Sequence, residues 1–314
     1  MREAIGVIGG GTMGHGIAAA FAAGGHDVAV WEPAGRQRDL ILPAIREAYA
    51  LLVEGDILTA AEAAAAAARL SLVDNMQSAA ADRDFIVEAT PEQLDLKQAL
   101  FATLDGMAPA AAVLASNTSS LKLAALMERV PSARRARMMV THWYNPPLVM
   151  PLVELSCFGN MPEDLYARVV RMHAAIGKRT VKVLKDVPGL IANRIQQGVA
   201  REVFSLIEQG VASAEDVETA LTFGPAFRYA TTGQLEIADF GGLDVWAAVG
   251  DNLLAVMDAS QQASPLLRRK VAEGRLGVKS GQGFFTWDAD SVTARRRAFM
   301  RRLIHQLKAS RAYG

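Results

Sequence analysis

Three glycines, Gly9, Gly11 and Gly14, stand at the spacing G-x-G-x-x-G within Gly9-Gly10-Gly11-Thr12-Met13-Gly14. They follow the apolar run Ala4-Ile5-Gly6-Val7-Ile8 and open a small-residue segment that continues to Ala23. A buried strand, a tight turn and a helix start in this order are suited to holding a pyrophosphate. Gly9 allows the sharp turn, Gly11 lets phosphate approach the backbone, and Gly14 lets helix and strand pack closely. The free amides and the positive helix end, beginning at Thr12 and Met13, then hold the charge. Glu32 ends the next apolar run, Val28-Ala29-Val30-Trp31, where the ribose of a dinucleotide would sit. A carboxylate there accepts both ribose hydroxyls, which favours NAD and disfavours the extra phosphate of NADP. Arg36 and Arg38 follow and read as a solvated helix start rather than a phosphate clamp.

A nicotinamide fold needs a proton acceptor beside the site of hydride transfer. Of the five histidines, His142 has the most suggestive setting: it leaves an apolar run and enters the proline-bounded loop Trp143-Tyr144-Asn145-Pro146-Pro147. A neutral imidazole there could take a hydroxyl proton. A carboxylate on its far nitrogen would fix the tautomer. Glu154, in Leu152-Val153-Glu154-Leu155, is the partner that spacing offers. The plain alternative is an ordinary loop histidine and an edge glutamate. His15 lies near the phosphate turn without an identified partner, and His173 reads as a helix-face residue.

These groups require a parallel sheet to carry them. The hydrophobic pattern predicts strands near residues 4–8, 28–31, 70–73, 85–87, 112–115, 137–141, 150–155 and 180–184. Helices are predicted at 12–23, 92–104 and 162–175, with a helical hairpin over 35–69 broken at Gly55-Asp56. The polar cluster Ser116-Asn117-Thr118-Ser119-Ser120 follows a strand, as ligand-cleft loops do. Lys97, alone on its helix, reads as solvent-facing. Asp186-Val187-Pro188-Gly189 is the best domain boundary, giving a dinucleotide-binding domain over 1–187 and a helical domain over 188–314. Long helices are predicted over 190–209, 243–259 and 265–273, with Ser213 capping another.

The chain has 314 residues, and its 33 acidic and 33 basic side chains balance, which argues against an electrostatic nucleic-acid surface. One cysteine excludes an internal disulfide framework and a cysteine-cluster metal site, and no metal is expected. No segment reads as membrane-spanning and the start lacks a signal-peptide pattern, so a soluble cytoplasmic protein is the expectation.

Taken together and in order, these landmarks resemble the 3-hydroxyacyl-CoA dehydrogenase family. They are the glycine turn, Ser116-Asn117-Thr118-Ser119-Ser120, His142-Trp143-Tyr144-Asn145-Pro146, Leu152-Val153-Glu154, Asp186-Val187-Pro188-Gly189-Leu190-Ile191-Ala192-Asn193-Arg194 and Lys279-Ser280-Gly281-Gln282-Gly283-Phe284. The resemblance implies an α/β fold: a Rossmann-like dinucleotide-binding domain followed by an all-helical C-terminal domain for substrate and dimerisation. It implies NAD as cofactor and His142 and Glu154 as the catalytic pair. Ser119 would lie near the reacting oxygen and nicotinamide, and Asn193 would position the substrate. Glu92, Lys97, Asn145 and Lys279 match residues near the dinucleotide.

The activity implied is reversible oxidation of a short or medium 3-hydroxyacyl-CoA to its 3-keto form, in fatty acid metabolism, by a homodimer. Two features depart from the CoA enzymes. Val53-Glu54-Gly55-Asp56-Ile57 is acidic where those enzymes often place lysines, with only Arg46 to compensate. The paired Pro146-Pro147 resembles relatives that oxidise free hydroxy acids, including sugar acids and a pyridine carboxylate. The alternatives are therefore a dehydrogenase of a non-CoA hydroxy compound and, in a different class, a nucleotide-binding structural protein without turnover.

Overall fold

The computed structural model describes residues 2–313. They divide into two compact units, with the division between Ile191 and Ala192.

The first unit is built on one eight-stranded sheet. Its strands are β1 (Ala4–Ile8), β2 (Asp27–Trp31), β3 (Leu70–Val73), β4 (Phe85–Glu88), β5 (Val113–Ser116), β6 (Met138–Trp143), β7 (Leu152–Ser156) and β8 (Arg179–Lys182). They lie in the order β3-β2-β1-β4-β5-β6-β7-β8. Every neighbouring pair is parallel except β6 and β7. The helices are α1 (Thr12–Ala23), α2 (Gly35–Glu54), α3 (Ala60–Ala67), α4 (Met76–Ala80), α5 (Leu94–Met107), α6 (Leu123–Leu126), α7 (Ser132–Arg135) and α8 (Glu163–Ala175).

Strands β1, β4 and β5 are apolar except for Glu88 and Ser116 at the ends of the last two, because both their faces are covered. Strand order reverses between β1 and β4, so a crevice opens at their carboxyl ends, next to the glycine turn. Helix α1 is buried along most of its length, which its alanine-rich sequence permits. The Tyr49 hydroxyl of α2 donates to the Ala19 carbonyl at 2.8 Å and bolts the two helices together. The break expected at Gly55-Asp56 is where α2 ends, with Asp56 at φ 53°.

Two of the five histidines are consumed by this core. His173 packs edge-on to Phe21 and Phe85 and against Trp143, and burial pushes its pKa down to about 4. His26 accepts from the Glu3 amide at 3.1 Å.

The second unit is helical: α9 (Ala192–Glu208), α10 (Ala214–Phe223), α11 (Pro225–Tyr229), α12 (Gln234–Gly241), α13 (Leu243–Leu254), α14 (Pro265–Ala272) and α15 (Ala289–Ser310). Ser213 caps α10 through the Asp216 amide, as expected. Helix α9 starts at Ala192, two residues later than the pattern places it, because Leu190 turns to φ 48°. Helix α15 carries an Asp288 capping box. A cavity of about 540 Å³ lies within this unit, lined by Phe204, Lys270, Lys279, Phe284 and Trp287 among others. Among the described residues, no helix is long and apolar enough to cross a membrane.

The glycine turn has no spare room at Gly14, where an added methyl group would meet the Gly9 carbonyl oxygen at 1.8 Å. We therefore expect Gly14→Ala to raise the Kd for NAD at least about tenfold and to cost about 1–3 kcal/mol of stability. Cofactor titration and urea unfolding measure the two effects.

Candidate active site

The antiparallel pairing of β6 with β7 sets His142 directly opposite Glu154. Opposed residues of such a pair project to the same face. The result is a hydrogen bond of 2.7 Å from His142 Nδ1 to Glu154 Oε2, with 6% and 0% of the two residues exposed. Bonding at Nδ1 leaves Nε2 as the nitrogen available to a ligand. The second carboxylate oxygen, Oε1, accepts from the Ile191 amide at 2.8 Å.

Ser119 is held by its backbone. Its amide donates to Glu92 Oε1 at 3.0 Å, and its carbonyl accepts from the Gly189 amide at 3.0 Å. Its hydroxyl makes no hydrogen bond among the described residues. The Asp186–Gly189 turn, expected to separate two domains, is thus bonded into the first unit, and Leu190 is buried in its core.

Glu92 gathers the loop after β5. Its Oε1 accepts from Thr118 Oγ1, Ser119 N, Ser120 N and Ser120 Oγ at 2.6–3.0 Å. Burial raises its pKa, but the bonds from Thr118 and Ser120 and the charge of Lys97 outweigh that and hold it below the usual range. Lys97 does not face solvent: it is 1% exposed. Its ammonium donates to Glu88 Oε1 at 2.7 Å and to the Thr90 carbonyl at 3.1 Å, and it lies 3.5 Å from Glu92. Glu88, fully buried, also accepts from Thr90 and from Ser116 Oγ.

At the other end of the crevice, Glu32 accepts from the Gly10 amide at 2.8 Å and the Ala34 amide at 3.0 Å. Those two bonds leave lone pairs for further donors. The start of α1 suits a phosphate: no side chain caps Gly11, no acidic residue stands in the first turn, and space around Gly11 is open. His15 Nδ1 bonds the Gly11 carbonyl at 2.8 Å and so supports the turn. Asn145 is exposed at the start of the β6–β7 turn. Asn193, on the first turn of α9, and Lys279, at the cavity, belong to the second unit.

Two groups escaped the sequence reading. Glu88 looks like a strand end, and Lys178 like a surface lysine. Lys178 is buried, and its ammonium donates to the carbonyls of Pro147, Leu148 and Met150 at 2.7, 3.3 and 2.8 Å. Burial lowers its pKa to about 7.

A family model for the 3-hydroxyacyl-CoA dehydrogenase NAD-binding domain matches residues 4–187, and one for the C-terminal domain matches 189–287. The chain belongs to the 3-hydroxyacyl-CoA dehydrogenase family. It is an NAD-dependent dehydrogenase.

Among members, the chain is 29% identical to a 5-formyl-3-hydroxy-2-methylpyridine 4-carboxylate 5-dehydrogenase of Mesorhizobium japonicum, over 97% of each protein. It is 34% identical to an L-carnitine dehydrogenase of Streptomyces coelicolor, over 73% of this chain and 69% of that one. A crystal structure of a 5-formyl-3-hydroxy-2-methylpyridine 4-carboxylic acid 5-dehydrogenase superposes with a TM-score of 0.91 at 27% identity, covering 100% of both chains. That of a 3-hydroxybutyryl-CoA dehydrogenase from Ralstonia eutropha gives 0.73 at 30% identity, covering 92% of this chain and 100% of that one.

Replacing Glu154 by glutamine keeps the shape and removes the charge that would meet an imidazolium. We expect Glu154→Gln to lower kcat by about 100-fold or more while NAD affinity is retained. Steady-state kinetics beside cofactor titration check this. Glu32→Ala is expected to weaken NAD more than NADP, read as a fall in the ratio of the two affinities.

Proposed function

We propose that this dehydrogenase oxidises a free hydroxy acid, such as a carboxylated ring compound or a sugar acid, rather than a CoA thioester. What carries the choice is the end-to-end match to the pyridine-carboxylate enzyme, set against the shorter, looser match to the hydroxybutyryl-CoA enzyme. Helix α15 lies beyond residue 287, where the family model ends. The carnitine relative is also named for a substrate without CoA. Charge points the same way: Glu54 and Asp56 at the end of α2 would repel CoA phosphates. The CoA reading, first implied by the motifs, therefore takes second place.

When bound, NAD supplies the hydride acceptor. His142 Nε2 takes the proton of the substrate hydroxyl. Glu154, ionised and hydrogen-bonded to Nδ1, stabilises the imidazolium that results and keeps the ring aimed. The Ser119 hydroxyl donates toward the same substrate oxygen, whose charge changes during reaction. In reduction His142 returns the proton. Glu92 acts by holding Ser119, and Lys97 by holding Glu92 and Glu88. Asn193, Asn145 and Lys279 keep the substrate and cofactor roles that the resemblance implies.

The second unit shows wide apolar surface: Leu235, Phe240 and Val256 are about four-fifths exposed, and α9 and α13 bury none of their residues fully. We propose that a second copy of this chain covers it. Light scattering should then give a mass near twice 33.6 kDa.

His142→Gln should lower turnover by about 10²–10⁴-fold with NAD affinity kept. NADH formation across 3-hydroxyacyl-CoAs, their free acids, sugar acids and hydroxylated pyridine carboxylates tests the substrate class. We expect a free acid to give the highest kcat/KM; a preference for a CoA thioester would restore the second reading.

A further inference from the structure

Strands β5 and β6 run parallel, but their main-chain register ends at Ser116 opposite Val140. Beyond that pair β6 continues to His142 and Trp143, while the chain after β5 turns into the loop that bears Ser119. At this divergence the Trp143 amide donates to Asn117 Oδ1 at 2.9 Å. A main-chain N–H can only donate, so the atom facing it must be the amide oxygen. Asn117's own amide donates to the Glu88 carbonyl at 2.8 Å, which ties the same residue to β4.

The loop on the far side of Asn117 is already stiff. Ser116 Oγ donates to Glu88 Oε2 at 2.6 Å, and Glu92 gathers Thr118, Ser119 and Ser120. On its near side lies the neighbour of His142, whose ring is fixed by Glu154. Two rigid bodies, one bearing the Ser119 hydroxyl and the other the His142 imidazole, are thus bridged by a side-chain amide at the point where their strands part. Both groups have to meet the same oxygen of the substrate.

We infer that Asn117 is a positioning residue of the proton relay, fixing the separation between Ser119 and His142 by standing in for the main-chain pairing that stops at Ser116. This rests on the reading of His142 as proton acceptor. Asn117 reaches the chemistry only through the loop and the strand. Misplacing a catalytic group by about 1 Å can cost about 10²-fold, so loss of this bond should appear in kcat rather than in cofactor binding.

The test compares Asn117→Ala, Asn117→Asp and His142→Gln in the full-length enzyme, with kcat and kcat/KM measured as a function of pH, NAD affinity by titration, and amide exchange of residues 138–144. Asn117→Ala should lower kcat by about 30-fold or more, leave the Kd for NAD within about threefold, and speed exchange at Trp143. Asn117→Asp keeps an acceptor for the Trp143 amide. It should recover kcat on the pH plateau to within about fivefold of the native value. Its added charge should favour the imidazolium and move the acid limb of kcat/KM to higher pH. That shift reports the new charge, whereas the positioning role is read from kcat: a strand-end cap with no positioning role would leave kcat of folded Asn117→Ala near the native value.

The inference is overturned if His142→Gln is inactive while folded Asn117→Ala keeps kcat within about twofold of native. It is also overturned if folded Asn117→Asp, which keeps the acceptor for the Trp143 amide, fails to recover kcat on the pH plateau, which decides the matter should the alanine variant fail to fold. If His142→Gln itself turns over normally, the proton-acceptor reading falls, and this inference with it.

Discussion

A carboxylate taken wholly out of water must have its charge met by donors, or it will not stay ionised. Glu154 satisfies that demand with an imidazole on one oxygen and a main-chain amide on the other. The imidazole bond requires a histidine directly across from it, and the antiparallel β6–β7 pair supplies one. The amide bond requires the chain leaving the sheet to return past the carboxylate at Ile191. Leu190 makes that return by adopting a left-handed backbone, with its side chain sunk in the core. Strand pairing and the path of the chain to residue 191 thus meet both oxygens of this carboxylate.

The carboxyl ends of the parallel strands extend the same logic. Glu88 at the end of β4, Ser116 at the end of β5 and Lys97 on α5 form a buried polar group in which each member has partners. Half-satisfied networks of this kind are costly, and fully satisfied ones rigidify what they touch. What they touch here is the loop of Ser119. Rigidity is thus located beside the crevice where strand order reverses.

Much of this was legible beforehand because buried parallel strands and glycine turns leave strong marks. The turn at Gly9–Gly14, the run ending at Glu32 and the strand near 137–141 could be read from residue type and spacing, although the strand runs on through His142 to Trp143, which the sequence places in the following loop. So could the helical character of the second half. Pair geometry could not: the sequence separation of His142 and Glu154 says nothing about register, and only the antiparallel step turns it into a contact. Lys97 was misread because lysine usually faces water, and Lys178 drew no notice at all. Lys97 turns inward to Glu88 at the end of the preceding strand, while Lys178 meets the carbonyls of a turn distant in sequence, which leaves no local pattern. Helix α15 was missed because its apolar residues are diluted by arginines. The substrate expectation shifted for a different reason: the motifs report the chemistry common to a family, whereas the acidic end of α2 and the full-length relatives bear on what that chemistry is applied to.

Lys178 grips the β6–β7 turn by its carbonyls, with the Trp143 ring 5.3 Å from its ammonium. Carbonyl oxygens are the same whatever side chains stand above them. The turn can therefore change its outward-facing residues to suit a new ligand without losing its anchor, so long as the backbone path is kept. An arrangement of that kind separates the durability of a loop from its vocabulary, and leaves the rim of the crevice free to vary while the machinery beneath it stays put.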